Sequence, residues 1–555
     1  MMDIQPQLVT LDQLLYGRLF RIPQYQRTYS WQKKHRGDLL KDIQHVWALK
    51  EKDRSHFMAT IVGLRREKRT IMTKEHQVIE VVDGQQRITT LIVLLKAIAK
   101  ALGRSRPSEA RIGQELDETL VKPDKVSLLL LNHDINHYFA DYLRTGEHPP
   151  AKTANTLADR ELLSAMEDCE KFVGEWQSSG GSLEKLVSLL KNRLTFVFHE
   201  IGDEGLVYTV FEVLNSRGLE VSWFDRLKSM LMAIVFEAET GNKSEIIDEV
   251  HQLWTDIYRR VGLRLGLSTE SLRFAATLRL PQCPSRPLSE EDAAELLREQ
   301  SKDGPAKVIE TTKWLKTVTD AVDELVADRR RNAVTEIVQA RMVATAVYLR
   351  RDFNQDERAK ILRRWENVTF RIYGMFRKDA RTGVGDYVRL AWRIAKEKLS
   401  AAEILAELSN IGAGFPAGDA INNLRKTNCY DGWQEELRYF FYRYEEYLAR
   451  KAGQKFINKH WNRIWEEKPA ESIEHILPQS SASDCVHWLG NLLVLPPELN
   501  SQLGAKAPKD KTQDYSKTGL LVTQEVVDRL SRWRQKTIKE REGELLQWAL
   551  HEWAD

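Results

Sequence analysis

Cysteine is scarce in this sequence: four in 555 residues, at positions 169, 283, 429 and 485, with no Cys-x-x-Cys pair. Such scatter argues against a zinc knuckle and a disulfide framework, and it fits a reducing, cytoplasmic compartment. No basic segment followed by an apolar run opens the chain, so MMDIQPQLVTLDQLL does not read as a signal peptide. No apolar run is long enough for a bilayer. The strongest, Ile88 to Leu102, is broken by Lys96 and Lys100. Neither sign of charge is in excess: 83 basic and 80 acidic residues leave a formal +3, so any basic surface is local. A Walker phosphate loop (Gly-x-x-x-x-Gly-Lys-Ser/Thr) and internal repeats are also missing.

What is present is enough apolar material, 42% of residues, for two or three cores, since single cores stop growing at roughly 250–300 residues. The first 100 residues alternate in type. LVTLDQLLYG reads as a short helix, and FRIPQYQRTYSW as extended because Pro23 disfavours helix at Ile22. HFMATIVGLRR, QVIEVV and NRLTFVFHEI read as strands. The stretch 208–236 reads as helix, turn and helix, with Gly218 as the stop. From about residue 240 the apolar spacing is helical almost throughout, and LPQCPSRPLSEED, with three prolines, marks a loop or seam. The expected architecture is α+β and predominantly helical. Its parts are an α+β domain over 1–240, a helical coupling region over 241–420, and a C-terminal domain over 421–555.

Two stretches carry chemistry. In VVDGQQRITTL (81–91) a β-rich run passes directly into a helical one. A helix start offers free N–H groups suited to anions. Gly84 lets a ligand approach the backbone, Gln85 and Gln86 offer donors and acceptors, and Arg87 offers a planar fork matched to phosphate. Asp83 could hold a metal ion, accept a proton or orient Arg87. A bland reading fits the spacing equally: Asp83 caps the helix and Arg87 pairs with a carboxylate. The second stretch runs from Glu471 to Tyr515. Glu474 and Asn500 supply hard oxygen donors for a divalent ion, and His475 supplies a base that titrates near neutrality. Adjacent residues on a strand point to opposite faces, so a bend is required if Glu474 and His475 serve one ion.

The DGQQR string resembles the hallmark of the N-terminal domains of GmrSD-type modification-dependent (type IV) restriction endonucleases and related phage-defence proteins. Three further stretches agree: IPQYQRTYSW (22–31), HFMATIVGL (56–64, with Ala59 where glycine is usual) and FEVLNSRGLEVSWFDRLK (211–228). The resemblance implies a ParB/sulfiredoxin-like fold that binds and hydrolyses a nucleoside triphosphate, whether ATP, GTP or UTP, and senses modified DNA. It places Gln26, Arg27, Asp83, Gly84, Gln85, Gln86, Arg87, Asn215, Arg217, Asp225 and Lys228 at the nucleotide, with Asp83 and Arg87 in the hydrolytic step. Tyr25, Tyr29 and Trp31 could stack on a base or line a pocket for a DNA modification; ordinary core packing is the alternative, and for Trp31 the preferred one.

The C-terminal stretch resembles the HNH, or ββα-metal, nuclease domain of the same family. That resemblance implies His475 as general base, Glu474 and Asn500 as ligands of Mg²⁺ or Mn²⁺, Asn491 as the residue positioning the histidine or its loop, and Lys511 as a phosphate contact. Upstream, LRYFFYRYEEYLARKAGQKFINKHWNRIW interleaves cations with aromatics. As one helix it would gather Arg450, Lys451, Lys455 and Lys459 into a stripe able to track DNA, although a solvated basic face reads equally well. The clusters MFRKDAR and ADRRR are less specific.

The expected function is an NTP-dependent, Mg²⁺-dependent endonuclease for modified foreign DNA, such as phage DNA, with nucleotide hydrolysis regulating the nuclease. The alternatives are an NTP-hydrolysing sensor and clamp that binds DNA without cutting, and an RNA-cutting toxin. No membrane is expected as a partner. A homodimer would supply the two nuclease domains that staggered cuts require.

Overall fold

The structure is a computed structural model and describes residues 4–23, 26, 28–48, 55–104, 106–132, 136–202, 222–238, 242–262, 264–456, 458–466 and 468–554. The chain forms two compact units, one of residues 1–272 with 290–319 and one of 273–289 with 320–555. The proline-containing stretch 280–289 therefore belongs to the second unit and ends where the chain re-enters the first. The helical region expected over 241–420 is shared between them.

The first unit is built on a six-stranded mixed sheet. From one edge the order is β1 (Ile4–Thr10), the strand Leu194–Ile201, β3 (His56–Ile71), β4 (Lys74–Asp83), β2 (Arg18–Arg21) and Leu129–Leu130. β3 and β4 are an antiparallel hairpin, while β2 lies parallel to β4. Val78, Ile79, Val81 and Val82 are all buried, so β4 is covered on both faces, as its unbroken apolar run requires. LVTLDQLLYG is not one helix: residues 8–10 finish β1, and α1 (Leu11–Leu15) starts where Thr10 forms a capping box with Gln13. β4 feeds α3 (Gln85–Leu102) through Gly84. Gly84 sits at φ +89, and a Cβ there would lie 2.9 Å from the Ile61 side chain on β3, so both conformation and packing require glycine. The side chains of α3 are buried almost around the whole helix, against Leu157–Ser178 among others.

The second unit is helical apart from two antiparallel strands, Ile473–His475 and Leu492–Val494, followed by the helix Pro497–Leu503. Trp365, Trp433, Trp553, Phe370 and Tyr439 build its core. Within that core the fully buried Glu366 accepts hydrogen bonds from Arg330, Arg331 and Arg443. Two arginines of the ADRRR cluster are thus spent on a buried ion cluster. Among the described residues no helix is long and apolar enough to cross a membrane, and all four cysteines are free thiols.

Candidate active site

The polar junction at Asp83 is largely consumed by its own fold. The Gln26 side chain donates to the Val82 carbonyl at 2.6 Å and accepts from Gln85 at 3.2 Å. Gln86 accepts from the backbone N–H groups of Ser30 and Trp31 and donates to the Thr28 carbonyl. All three glutamines are buried. A segment holding Pro23 cannot pair as a regular strand, so side-chain amides satisfy its backbone instead. Gln26, Gln85 and Gln86 lash the extended segment to the helix start. Arg87 is half-buried, with its guanidinium 5.7 Å from the centre of the Trp31 ring. Asp83 ends β4, partly buried. Tyr29 is core, bonded to Thr90. Tyr25, Arg27, Asn215, Arg217 and Gly218 lie outside the described residues.

A cavity in the first unit is lined in part by that segment. It encloses about 740 Å³ and is walled by Thr28–Gln32, the start of Leu157–Ser178, and two helices, Trp223–Glu237 and Lys243–Val261. Asp225 and Lys228 both line it, one turn apart on the first of these helices. Asp225 is held by Ser222, the helix N-cap, and by the Tyr258 hydroxyl at 2.6 Å. Lys228 is 2% exposed, and among the described residues its ammonium donates to the Gln26 carbonyl at 3.4 Å and lies over the Tyr258 ring. Burial lowers its pKa to about 8, against the pull of Asp225. A desolvated ammonium in a cavity wall is suited to an anion.

In the second unit His475 ends its strand beside Glu474, and the two side chains diverge as strand alternation requires. The Glu474 carboxylate accepts from Lys511 at 2.6 Å and from the Tyr515 hydroxyl at 2.8 Å, all three buried. Burial pushes the Glu474 carboxyl up against the pull of both partners, and raises Tyr515 well above its usual range. His475 turns to His487, with Nε2 and Nδ1 3.1 Å apart, and packs edge-on to Tyr430. Burial, then His487, then Lys511 lower the His475 pKa to about 3, so its imidazole is neutral at physiological pH. Asn500 donates to the backbone carbonyls of Glu471 and Ile473.

Glu474 is thus turned to Lys511 and Tyr515, His475 to His487, and the amide nitrogen of Asn500 to the backbone. Among the described residues no group of three or more His, Cys, Asp or Glu side chains is arranged to hold a metal. Lys511 is fully buried rather than presented to a phosphate. The basic stripe is not formed either. The helix Gln434–Lys451 ends at Lys451, so Lys455 falls in the following loop, while Arg450 lies 3.8 Å from Glu552 and Lys451 stacks near Tyr447. The side chain of Lys459 is outside the described set.

The Asn491 side chain makes four bonds among the described residues: it accepts from the Leu477 N–H and Trp533 Nε1, and donates to the carbonyls of Leu477 and Val486. It thereby clamps the segment after His475 to the one before His487. Gly490 leaves no room for a Cβ, which would lie 2.1 Å from the Ile538 carbonyl, and Arg541 donates to the carbonyls of Gly490 and Leu492. Residues 10–232 match the N-terminal domain of GmrSD restriction endonucleases, and residues 417–548 match the C-terminal domain.

The chain belongs to the GmrSD restriction endonuclease family. Membership supports a nuclease acting in restriction, with DNA as its partner. No curated protein matches the chain. The GmrSD N-terminal match contains Asp225 and Lys228, and the C-terminal match contains His475, His487, Asn491, Asn500 and Lys511. Sequence reasoning missed His487, Tyr430 and Arg541 in this GmrSD C-terminal part. For His487 a signal existed: an imidazole interrupting the apolar run just before Gly490-Asn491.

Proposed function

We propose that this protein is a nucleotide-regulated DNA endonuclease of the HNH type that cuts modified foreign DNA. The observation that carries the reading is His475: a buried, neutral imidazole ending the first strand of a strand–strand–helix unit. As base it removes a proton from water. The water oxygen bonds to the phosphorus, and the bond from phosphorus to the leaving ribose oxygen breaks with its electron pair on that oxygen. The N-terminal cavity is the place for the regulating nucleotide, with Lys228 facing its phosphates and Asp225 beside it. A divalent ion belongs to the HNH reading. Of its expected donors, Glu474 is engaged by Lys511 and Tyr515, while Asn500 uses its amide nitrogen on the backbone; no step is derived through the ion.

The engagement of Glu474 by Lys511 and Tyr515 favours a second reading, a DNA clamp that does not cut. Digestion separates them. Glucosylated-hydroxymethylcytosine, hydroxymethylcytosine, phosphorothioate and unmodified DNA are incubated with each NTP, with Mg²⁺, Mn²⁺ or EDTA, using wild type and His475→Ala. Cutting of a modified DNA by wild type alone is expected. Cutting by both proteins removes His475 as base, and binding without cutting on every substrate leaves the clamp.

A further inference from the structure

We infer that two neighbouring loops of the second unit, 376–382 and 425–431, form a cationic track for the backbone of duplex DNA, an inference that rests on the proposed reading of this unit as the one that holds DNA at His475. Five cations stand on the two loops, Arg377, Lys378, Arg381, Arg425 and Lys426, against two carboxylates, Asp379 and Asp431. All five cations are exposed. Among the described residues Arg381 alone of the five forms an ion pair, with Asp379 at 3.9 Å. Those two side chains are 95% and 67% exposed, so water screens the pair. Two arginines of the ADRRR cluster are consumed by the buried Glu366, whereas the cations of MFRKDAR face solvent.

The loops are tied to each other and to the imidazole pair. Arg377 donates to the Asn428 carbonyl at 2.7 Å, and its guanidinium lies 5.7 Å from the centre of the Trp433 ring. The Asn428 side chain accepts from the N–H groups of Tyr430 and Asp431. Tyr430 stacks on His487, with 5.4 Å between centres and 14° between planes, and meets His475 edge-on at 4.7 Å. The Cys429 N–H donates to the His487 carbonyl at 2.9 Å. Duplex DNA carries one negative charge per about 1.7 Å of axis, so a phosphodiester at the imidazoles brings its neighbours over the adjoining surface. Exposed cations spread over two loops suit that polymer. They do not enclose a small anion, and they contact phosphates without reading bases. The helix dipole accounts for part of this charge: Arg377 and Lys426 take left-handed φ of +51 and +53 just past helix ends, where a cation is favoured. Lys398, at φ +54, does the same beyond the far end of Val384–Lys396. The dipole does not account for Lys378 and Arg381 beside Arg377.

The test measures binding of the full chain, in EDTA, to unmodified and hydroxymethylcytosine duplexes by fluorescence anisotropy across a NaCl series. Wild type is compared with the combined variant Lys378→Gln, Arg381→Gln, Arg425→Gln and Lys426→Gly. Among the described residues these four side chains make no hydrogen bond beyond the exposed Arg381 pair, and glycine suits the φ at 426. The slope of log Kd against log[NaCl] should fall by about one per side chain, and affinity at low salt by about tenfold or more. Arg381→Gln alone, at a side chain 95% exposed, should lower the slope by about one. The control Lys396→Gln with Lys398→Gly, two exposed cations beyond these loops, should leave slope and affinity as in wild type. Unchanged slopes in both track variants overturn the track, while DNA binding by wild type keeps the reading of the unit as the one that holds DNA. Equal losses in the control show a general charge effect and overturn it as well. Loss of binding to single-stranded RNA with duplex binding unchanged assigns the face to RNA instead. A wild type that binds neither duplex removes the DNA reading and the track together.

Discussion

Lys228 carries a charge that the fold disfavours. Its folded pKa of about 8 lies below the ordinary lysine value of 10.5, so the native state binds this proton less tightly than the unfolded chain. The cost of the charge is full below pH 8 and disappears as pH rises towards 10.5, amounting to about 3 kcal/mol at most. Lys228→Met removes it. Urea unfolding should find the variant at least as stable as wild type at pH 7, with the difference shrinking by pH 9.5, while nucleotide binding measured by calorimetry is lost. An identical pH slope in both proteins would refute the burial argument. Glu474 and Lys511 pose the opposite case, two buried charges that satisfy each other. Removing one partner strands the other, so Glu474→Gln or Lys511→Met alone should cost about 3–5 kcal/mol, and the double variant should recover most of it. Additive losses on urea unfolding would show that the pair is not coupled.

Elements at two junctions decide where side chains go. At Gly84 a strand and a helix meet in a left-handed turn pressed against β3, and the tautness of that junction brings Gln85 and Gln86 under the extended segment. Gly84→Ala adds a methyl 2.9 Å from Ile61 and a disfavoured φ, so it should lower unfolding stability by about 2 kcal/mol or more. Stability equal to wild type would mean that the junction is loose. At the other junction, the end of Gln434–Lys451, stopping the helix scatters a basic stripe that a continuous helix would have aligned. The aromatic residues of that helix are core: Tyr439, Phe440, Phe441, Tyr442 and Tyr444 are buried. Its stop had a local signal, Gly453, which takes φ +63 just past the helix end.

At the scale of the whole molecule, the cavity with Lys228 and the imidazole pair belong to different compact units. Separate sites should fail separately. His475→Ala is expected to abolish cutting while nucleotide turnover stays within about twofold of wild type. Lys228→Met should lose turnover yet keep a folded C-terminal unit, read by circular dichroism. Loss of both activities in His475→Ala would mean one shared centre.

The sequence alone determined the helix-rich α+β class, the strands of β3, β4 and Leu194–Ile201, and the family, because apolar period and short motifs are properties of neighbouring residues. It also showed that Glu474 and His475 would face apart unless a bend intervened, since alternation along a strand needs no tertiary knowledge. Only the tertiary structure decided what those side chains meet. Lys511 reaches Glu474 from 37 residues away, Gln86 reaches Ser30 from 56, and Arg443 reaches Glu366 from 77. Local pattern carries no record of such pairings. They form because a buried polar group must find a partner, and folding sets which one comes within reach.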